Sequence, residues 1–276
     1  MTKTIVLKLG GEIVHSPELD LIADDLRELV EGFHRVAIVH GGGPQATALQ
    51  KRLGIETRQI AGRRYTDEQT LEVMKYVVAG QLNVDLCARL LSHGVMGVGL
   101  HGPSGHVIQA RRRPPRPMQG AGPDPVDLGL VGDVTGFNLP LLGDLFERRY
   151  VPVLACLGCD AQGQPLNING DTVASQLAGA LRADALVLVT TAPGVLRDLL
   201  DPTSRIPRIT RAEFERMVAE GTISGGMIPK LEESFAVLRG GARSVVIVGR
   251  LAAGELTRAV LEPGSAGTVL ERDPGD

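Results

Sequence analysis

The sequence predicts an α/β fold with an open, mainly parallel central sheet. Two mostly apolar runs, residues 4–9 and 35–39, have the character of strands, and each ends in a glycine turn followed by helical periodicity. Strand, glycine turn and helix in succession, met twice over, are typical of parallel strands joined by helical crossovers. The second run has no polar alternation, as expected for a strand covered on both faces.

The remaining elements follow in chain order. Helical spacing predicts helices over residues 17–33, 45–53 and 67–93, and residues 95–138 are predicted as a β-hairpin region with an exposed loop rich in Pro, Gly and Arg. In the second half, the pattern predicts strands at 150–155, 185–189 and 244–248, and helices at 172–182, 211–220 and 228–240. We expect one domain over residues 1–276, with lobes of about 1–183 and 184–276.

The composition excludes several classes of protein. The 276 residues carry 29 Lys+Arg against 32 Asp+Glu, and this net charge of −3 argues against a general nucleic-acid binder. Every apolar run is shorter than the roughly 18–20 residues that a membrane span needs. Three cysteines are too few for a disulfide scaffold, and the N-terminus lacks a signal-peptide pattern. We therefore expect a cytoplasmic protein that binds neither nucleic acid nor membrane.

Glycines mark the ends of several predicted strands, at positions 10–11, 41–43, 194 and 249. Ligands of open α/β sheets bind at the carboxyl ends of the strands, where glycine lets backbone N–H groups approach an anion. An ordinary tight turn would explain a single Gly-Gly pair, but several on one sheet edge favour a phosphate site. The P-loop pattern is absent, and the G-x-G-x-x-G match at 97–102 is not followed by a helix, so we interpret it as accidental.

Two lysines stand beside these turns. Lys8 lies inside an otherwise apolar strand, two residues before Gly10, where its head could extend to solvent or serve the anion-binding turn. Lys230 follows the segment 225–229 and opens a predicted helix, so a plain surface lysine is the alternative.

Further candidate binding residues lie next to the ends of predicted strands and helices. Asp171 precedes a predicted helix, where Asp and Asn commonly act as N-caps. Asn167 and Asn169 alternate at a strand end and would present their amides on one side. Arg64 could clamp a carboxylate through two hydrogen bonds. Cys156 and Cys159 form a C-x-x-C without the further ligands that zinc needs, so we expect a structural role and no metal site on the protein.

Taken together, these motifs resemble the amino-acid kinase family, and within it the branch that phosphorylates the side-chain carboxylate of N-acetyl-L-glutamate in arginine biosynthesis. The matching segments occur in family order and cover about residues 4–270: 8–11, 40–45, 64–67, 127–134, 167–171, 193–196 and 223–230. The resemblance implies a three-layer αβα sandwich with two lobes. The acyl substrate would bind on the first lobe and ATP with Mg²⁺ on the second.

The resemblance also implies roles for individual residues. The catalytic group would be Lys8, Asp171 and Lys230, with Asp171 organising the two ammonium groups. The acyl substrate would contact Gly42, Gly43, Arg64 and Asn167. The nucleotide and its phosphates would contact Gly10, Gly11, Thr191, Gly194 and Val195. The chain departs from the family pattern at Thr191, where an aspartate is usual, at Gly170, where alanine is usual, and at Val248, again in place of an aspartate.

Alternatives remain open within this interpretation. Arg64-Tyr65-Thr66 and Asn169-Gly170-Asp171 resemble kinases for N-acetylaminoadipate or carrier-linked substrates, whereas the segment 225–230 and the lack of an insertion before Arg64 favour acetylglutamate. A non-catalytic regulatory module of the same fold is a second alternative. Only seven residues precede Lys8, and arginine-inhibited members carry an extra N-terminal helix that links dimers into hexamers, so we expect a homodimer.

Overall fold

The computed structural model describes residues 1–118, 120, 122, 124–198, 201, 203–223 and 227–273, with only the backbone described at positions 229 and 230. The strands are β1 (Thr4–Leu9), β2 (Arg35–His40), β3 (Gln59–Ile60), β4 (Arg63–Arg64), β5 (Gly97–Leu100), β6 (Ile108–Arg112), β7 (Gly132–Phe137), β8 (Val151–Ala155), β9 (Leu157–Cys159), β10 (Pro165–Asn167), β11 (Ala185–Val189), β12 (Arg208–Thr210), β13 (Val245–Val248) and β14 (Thr268–Glu271). The helices are α1 (Glu18–Glu31), α2 (Gly43–Arg52), α3 (Glu68–Met74), α4 (Asn83–Ser92), α5 (Leu139–Glu147), α6 (Gly170–Ala180), α7 (Arg211–Ala219), α8 (Met227–Arg239) and α9 (Glu255–Leu261).

A mostly parallel central sheet organises the molecule. Within the described residues it has eight strands in the order β12-β14-β13-β11-β1-β2-β8-β5, and only the β13–β14 pair is antiparallel. Ile5, Val6 and Leu7 of β1 are each at most 1% exposed. Because neighbouring residues of a strand face opposite sides, both faces of the sheet are covered. Helices α1 and α9 pack together, as do α6 and α8, and the predicted α/β class with layered helices is confirmed.

The region after residue 95 differs from its prediction in one respect. Residues 108–112 and 132–137 do pair as an antiparallel hairpin, β6 with β7, in a smaller sheet of order β10-β9-β6-β7. The strand at 97–100 belongs instead to the central sheet, where β5 pairs in parallel with β8. Strand β5 forms the edge of the central sheet, where three of its residues are half-buried and one is exposed. Its short Gly-Val-Gly-Leu sequence therefore lacks the apolar run that predicts a buried parallel strand.

The helix predicted over residues 67–93 is confirmed, with an unexpected central segment. Helices α3 and α4 are joined without a break by a π-helical segment, Lys75–Leu82. Such segments often accompany functional sites, because the wider turn re-aims the side chains that follow. Among the described helices, none combines the length and the apolar character needed to cross a bilayer.

Candidate active site

Two neighbouring cavities open at the carboxyl ends of the central strands. The first has a volume of about 620 Å³, and the residues that line it include Gly42, Gly43, Arg64, Arg113, Asn167 and Gly170. The second has a volume of about 460 Å³, and its lining includes Lys8, Glu12, Asp171, Thr191, Glu233 and Ser234. Gly170 and Asp171 are consecutive residues at the start of α6, so the N-terminus of this helix separates the two cavities.

The sheet order explains this position. Strand β1 lies between β2 and β11, and the backbone of Lys8 lies opposite Val39 of β2 and Leu188 of β11. The glycine turns after β1 and β2 are therefore neighbours. A Cβ at Gly11 would lie 2.8 Å from the Cα of Gly42, so only glycine permits this approach of the two turns. The expected cluster of glycine turns at one sheet edge is confirmed for these two.

Lys8 and Asp171 form an ion pair at the second cavity. The Nζ of Lys8 lies 3.0 Å from Oδ1 of Asp171, and the side chains are 18% and 50% exposed. Lys8 thus does not extend its head freely into solvent. The cap of α6 is Asn169, whose Oδ1 accepts hydrogen bonds from the backbone N–H groups of Asp171 and Thr172 at 2.8 and 3.2 Å. The alternative in which Asp171 caps the helix is therefore wrong, and its carboxylate remains available to cations.

Arg64 places a half-buried cation at the first cavity. Its guanidinium donates hydrogen bonds to Thr47 Oγ1 at 2.7 Å, to the Gly43 carbonyl at 2.9 Å and to Gln50 Oε1. Burial lowers the pKa of Arg64 from its usual value. All of these recorded partners are neutral oxygen atoms, so within the described residues the charge is oriented but not neutralised. A buried cation held in this way favours an anionic ligand.

Arg113 is a residue of the first cavity that the sequence analysis did not select. It lies in the basic segment 111–116, where a solvated loop was the simplest expectation, yet it is only 8% exposed. Its Nε donates to Asp133 Oδ1 at 2.8 Å. Arg112 pairs with Asp127 at the surface instead. Arg113 directly follows β6, so the antiparallel pairing of β6 with β7 sets its position beside the cavity. The run of arginines in the sequence does not predict that pairing.

Asn167 lines the first cavity together with Asn169, and its contact with the acyl substrate stays a prediction. The side chain of Asn167 is 9% exposed, and its Nδ2 donates to Thr66 Oγ1 at 3.0 Å. This bond connects the end of β10 to the loop that follows Arg64. The amide of Asn167 is thereby held in one orientation at the cavity wall.

The predicted nucleotide contacts divide into two groups. Thr191 lines the second cavity, whereas Gly10, Gly11, Gly194 and Val195 lie outside its lining. The backbone N–H of Val195 donates to Thr268 Oγ1 at 2.8 Å, and Thr268 also donates to the Ile206 carbonyl at 2.6 Å. Gly194 and Val195 thus anchor the loop after β11 to β14. A direct contact between these two residues and a nucleotide stays a prediction.

Lys230 lies partly outside the described residues, because only its backbone is described, and the motif residues 224–226 before it lie outside them altogether. The backbone at position 230 belongs to the first turn of α8. Glu233 and Ser234 of the same helix line the second cavity. A catalytic role of Lys230 stays a prediction.

A buried thiol stands at the wall of the first cavity. Cys156 is 4% exposed, and burial raises the pKa of its thiol to about 11. Cys87 and Cys159 are likewise free thiols. Cys156 follows β8 directly and its partner in the C-x-x-C sequence ends β9, so both serve the packing of adjoining strands.

Known proteins resemble this chain over nearly its whole length. A family model described as the amino acid kinase family matches residues 3–249, and the chain belongs to this family. It is 86% identical to the acetylglutamate kinase of Anaeromyxobacter dehalogenans strain 2CP-C, over 98% of this chain and 100% of that relative. Identity to the acetylglutamate kinase of Sorangium cellulosum is 56%, over 98% and 95% of the two chains. Among solved structures, smu.665 of Streptococcus mutans UA159 aligns with a TM-score of 0.75 and 28% identity, over 98% and 99% of the two chains.

Proposed function

We propose that this protein catalyses the ATP-dependent phosphorylation of the side-chain carboxylate of N-acetyl-L-glutamate, which yields N-acetylglutamyl 5-phosphate for arginine biosynthesis. The observation that carries the proposal is the meeting of two cavities at the N-terminus of α6, with a lysine–aspartate pair beside the boundary. Relatives named acetylglutamate kinase that align over nearly the whole chain support the same activity.

The first cavity suits the acyl substrate. N-Acetylglutamate carries two carboxylates, and the cavity offers the Arg64 guanidinium and the first-turn N–H groups of α2, which begins at Gly43. The first N–H groups of a helix have no intrahelical acceptor, and the helix dipole favours anions there. The α-carboxylate would bind Arg64, and the side-chain carboxylate would then point toward the boundary at Gly170.

The transfer step needs alignment and charge compensation rather than a base. A carboxylate is already nucleophilic, so its oxygen forms a bond to the γ-phosphorus of ATP while the bond from that phosphorus to the bridging oxygen of ADP breaks. Lys8, held by Asp171, would offset charge on the migrating phosphoryl group. Lys230, from the helix on the far side of the second cavity, would do so from the nucleotide side.

The nucleotide would enter as its Mg²⁺ complex, in which phosphate oxygens and water hold most of the coordination positions. The carboxylates of Glu12, Asp171 and Glu233 line the second cavity, so its walls are compatible with such a complex. The ion neutralises phosphate charge when bound, and Lys8 adds to that neutralisation from the protein.

The substrate class is tested by ADP release with N-acetylglutamate, N-acetylaminoadipate and a carrier-linked glutamate as separate acceptors. We expect kcat/KM to be highest for N-acetylglutamate by at least about tenfold, because one extra methylene shifts the reacting carboxylate relative to Arg64. A preference for either other acceptor would assign the chain to the lysine-type kinases. No acceptor-dependent ADP release would favour a regulatory module.

We also propose a homodimer that works in the cytoplasm. Tyr76, Val84 and Leu91 are 57%, 63% and 59% exposed on the long helix, at spacings that place them on one face, and such a face favours a second copy. The free cysteines support a reducing compartment. Sedimentation velocity should give twice the chain mass of 29.2 kDa, and the Val84→Asp, Leu91→Asp variant should give the monomer mass. A wild-type monomer or hexamer would contradict the dimer.

A further inference from the structure

The glycine turn of the first cavity rests on a buried histidine that the proposed reaction does not use. His40, the last residue of β2, is fully buried, and its Nδ1 lies 3.0 Å from the carbonyl oxygen of Gly41. Its Nε2 lies 3.0 Å from Nδ2 of Asn83, a residue that is only 6% exposed. The two ring nitrogens thus connect the turn to the start of α4.

The partners of Asn83 fix the proton on this imidazole. Nδ2 of Asn83 also lies 3.0 Å from the carbonyl oxygen of Val153, which can only accept, so this atom is the amide nitrogen. It donates to both neighbours, and Nε2 of His40 must therefore accept. Burial lowers the pKa of His40, and an accepting Nε2 requires the neutral ring. The single proton of the neutral ring then resides on Nδ1 and is donated to Gly41.

The bond to Gly41 sets the orientation of the next peptide group. In a trans peptide the C=O and the following N–H point in opposite directions. Because the Gly41 carbonyl points to the buried imidazole, the N–H of Gly42 points away from the interior, and Gly42 lines the first cavity. The π-helical segment closes the other side of the turn, since a Cβ at Gly42 would lie 2.5 Å from Leu82 Cδ1.

We propose that His40, held in its Nδ1–H tautomer by Asn83, is a positioning residue that aims the backbone N–H groups of Gly42 and Gly43 at the anionic acyl substrate. This inference rests on the proposed function and extends it to a residue that touches no reactant. In this arrangement the π-helical segment positions two residues against the turn: Leu82, which ends the segment, and Asn83, which follows it directly. Loss of the Nδ1 donor would free the Gly41 peptide to rotate and would weaken acyl-substrate binding.

Two substitutions separate orientation from packing. In His40→Asn the short amide can place an N–H donor near the former Nδ1 position, whereas His40→Leu fills space without a donor. We expect His40→Leu to raise KM for N-acetylglutamate about 10- to 100-fold, the range for a lost hydrogen bond in a binding site, with KM for ATP changed less than about twofold. His40→Asn should recover most of that loss. Equal KM values in both variants, or equal changes for both substrates, would overturn the proposal.

The tautomer can be read directly on the wild-type protein, whether or not the variants fold. The ¹⁵N spectrum of histidine-labelled protein near neutral pH should show one imidazole with a protonated Nδ1 and an unprotonated Nε2. Asn83→Leu should abolish this signature and raise KM for N-acetylglutamate, with no further increase when combined with His40→Leu. A proton on Nε2 would overturn the inference while leaving the proposed function intact. Absent wild-type turnover, with the Nδ1–H signature present, would refute the function and not the tautomer.

Discussion

The ammonium nitrogen of Lys8 lies 3.0 Å from Oδ1 of Asp171, a contact that joins the end of the first strand to the first turn of α6. Half of the Asp171 side chain is exposed, and an ion pair so accessible to water contributes little to folding. Its value lies in holding an ammonium group at the wall of the second cavity. The pair therefore separates activity from stability in a way that substitutions can test.

Lys8→Ala should reduce kcat on the order of 10²–10³-fold, by analogy with the loss of one donor that stabilises charge in a transition state. The free energy of unfolding in urea should change by less than about 1 kcal/mol. Lys51→Ala, at an exposed lysine near the end of α2, serves as the matched control and should leave both quantities unchanged. A Lys8→Ala enzyme with kcat within threefold of wild type would remove Lys8 from the mechanism.

Asp171 and Asn169 should give opposite results although they are two residues apart. Asp171→Asn keeps the cap of α6 and should lower kcat without lowering the midpoint of thermal unfolding. Asn169→Ala removes the acceptor of two backbone N–H groups and should lower the free energy of unfolding by about 1 kcal/mol. Thermal and kinetic measurements on both variants check this division. A destabilised Asp171→Asn would return the capping role to the aspartate.

Arg64→Lys should raise KM for N-acetylglutamate about tenfold or more, because an ammonium group cannot reproduce the fork that serves Gly43, Thr47 and a carboxylate together. KM for ATP should stay constant, since Arg64 lines only the first cavity. Arg52→Lys, at an exposed arginine, is the control. If KM for ATP rose instead, the assignment of the two cavities would be reversed.

We expect the buried Cys156 thiol to cause a loss of folding stability at alkaline pH. Its pKa is raised by burial to about 11, above the value of an unfolded cysteine, so the folded state retains the proton longer than the unfolded state. The stabilisation is complete below about pH 8.5 and is lost as pH rises toward 11, on the order of 2 kcal/mol. Urea unfolding at pH 8 and pH 10 should show a decrease that is smaller in Cys156→Ala. Equal decreases would assign the effect to other groups.

Local sequence patterns predicted the helices and strands whose apolar residues follow a regular spacing along the chain. The buried strands β1, β2, β8, β11 and β13 each carry a mostly apolar run, and the long helix carries apolar residues at helical spacing on both sides of its π-helical segment. Strand β5 was assigned to the wrong sheet because its Gly-Val-Gly-Leu sequence specifies neither partner nor orientation. Pairing between distant segments is decided by packing, which short motifs do not encode.

The same limit applies to the candidate site. Lys8 and Asp171 come together as predicted, because both stand at strand or helix ends that a parallel sheet brings to one edge. The burial of Arg113 was not predicted, because this residue directly follows β6 and its position depends on the pairing of β6 with the distant strand β7. Asn169, and not Asp171, caps α6, and propensity alone could not distinguish these two good caps.

In the proposed reaction, the carboxylate of N-acetylglutamate receives the γ-phosphoryl group of ATP beside Lys8. Hydroxylamine traps acyl phosphates as hydroxamates, so the most direct measurement is hydroxamate formed per ADP released, with and without N-acetylglutamate. We expect about one hydroxamate per ADP for the wild type, strict dependence on the acceptor, and loss of both products in Lys8→Ala. ADP release without hydroxamate, or equal yields in Lys8→Ala, would rule out this reaction at Lys8.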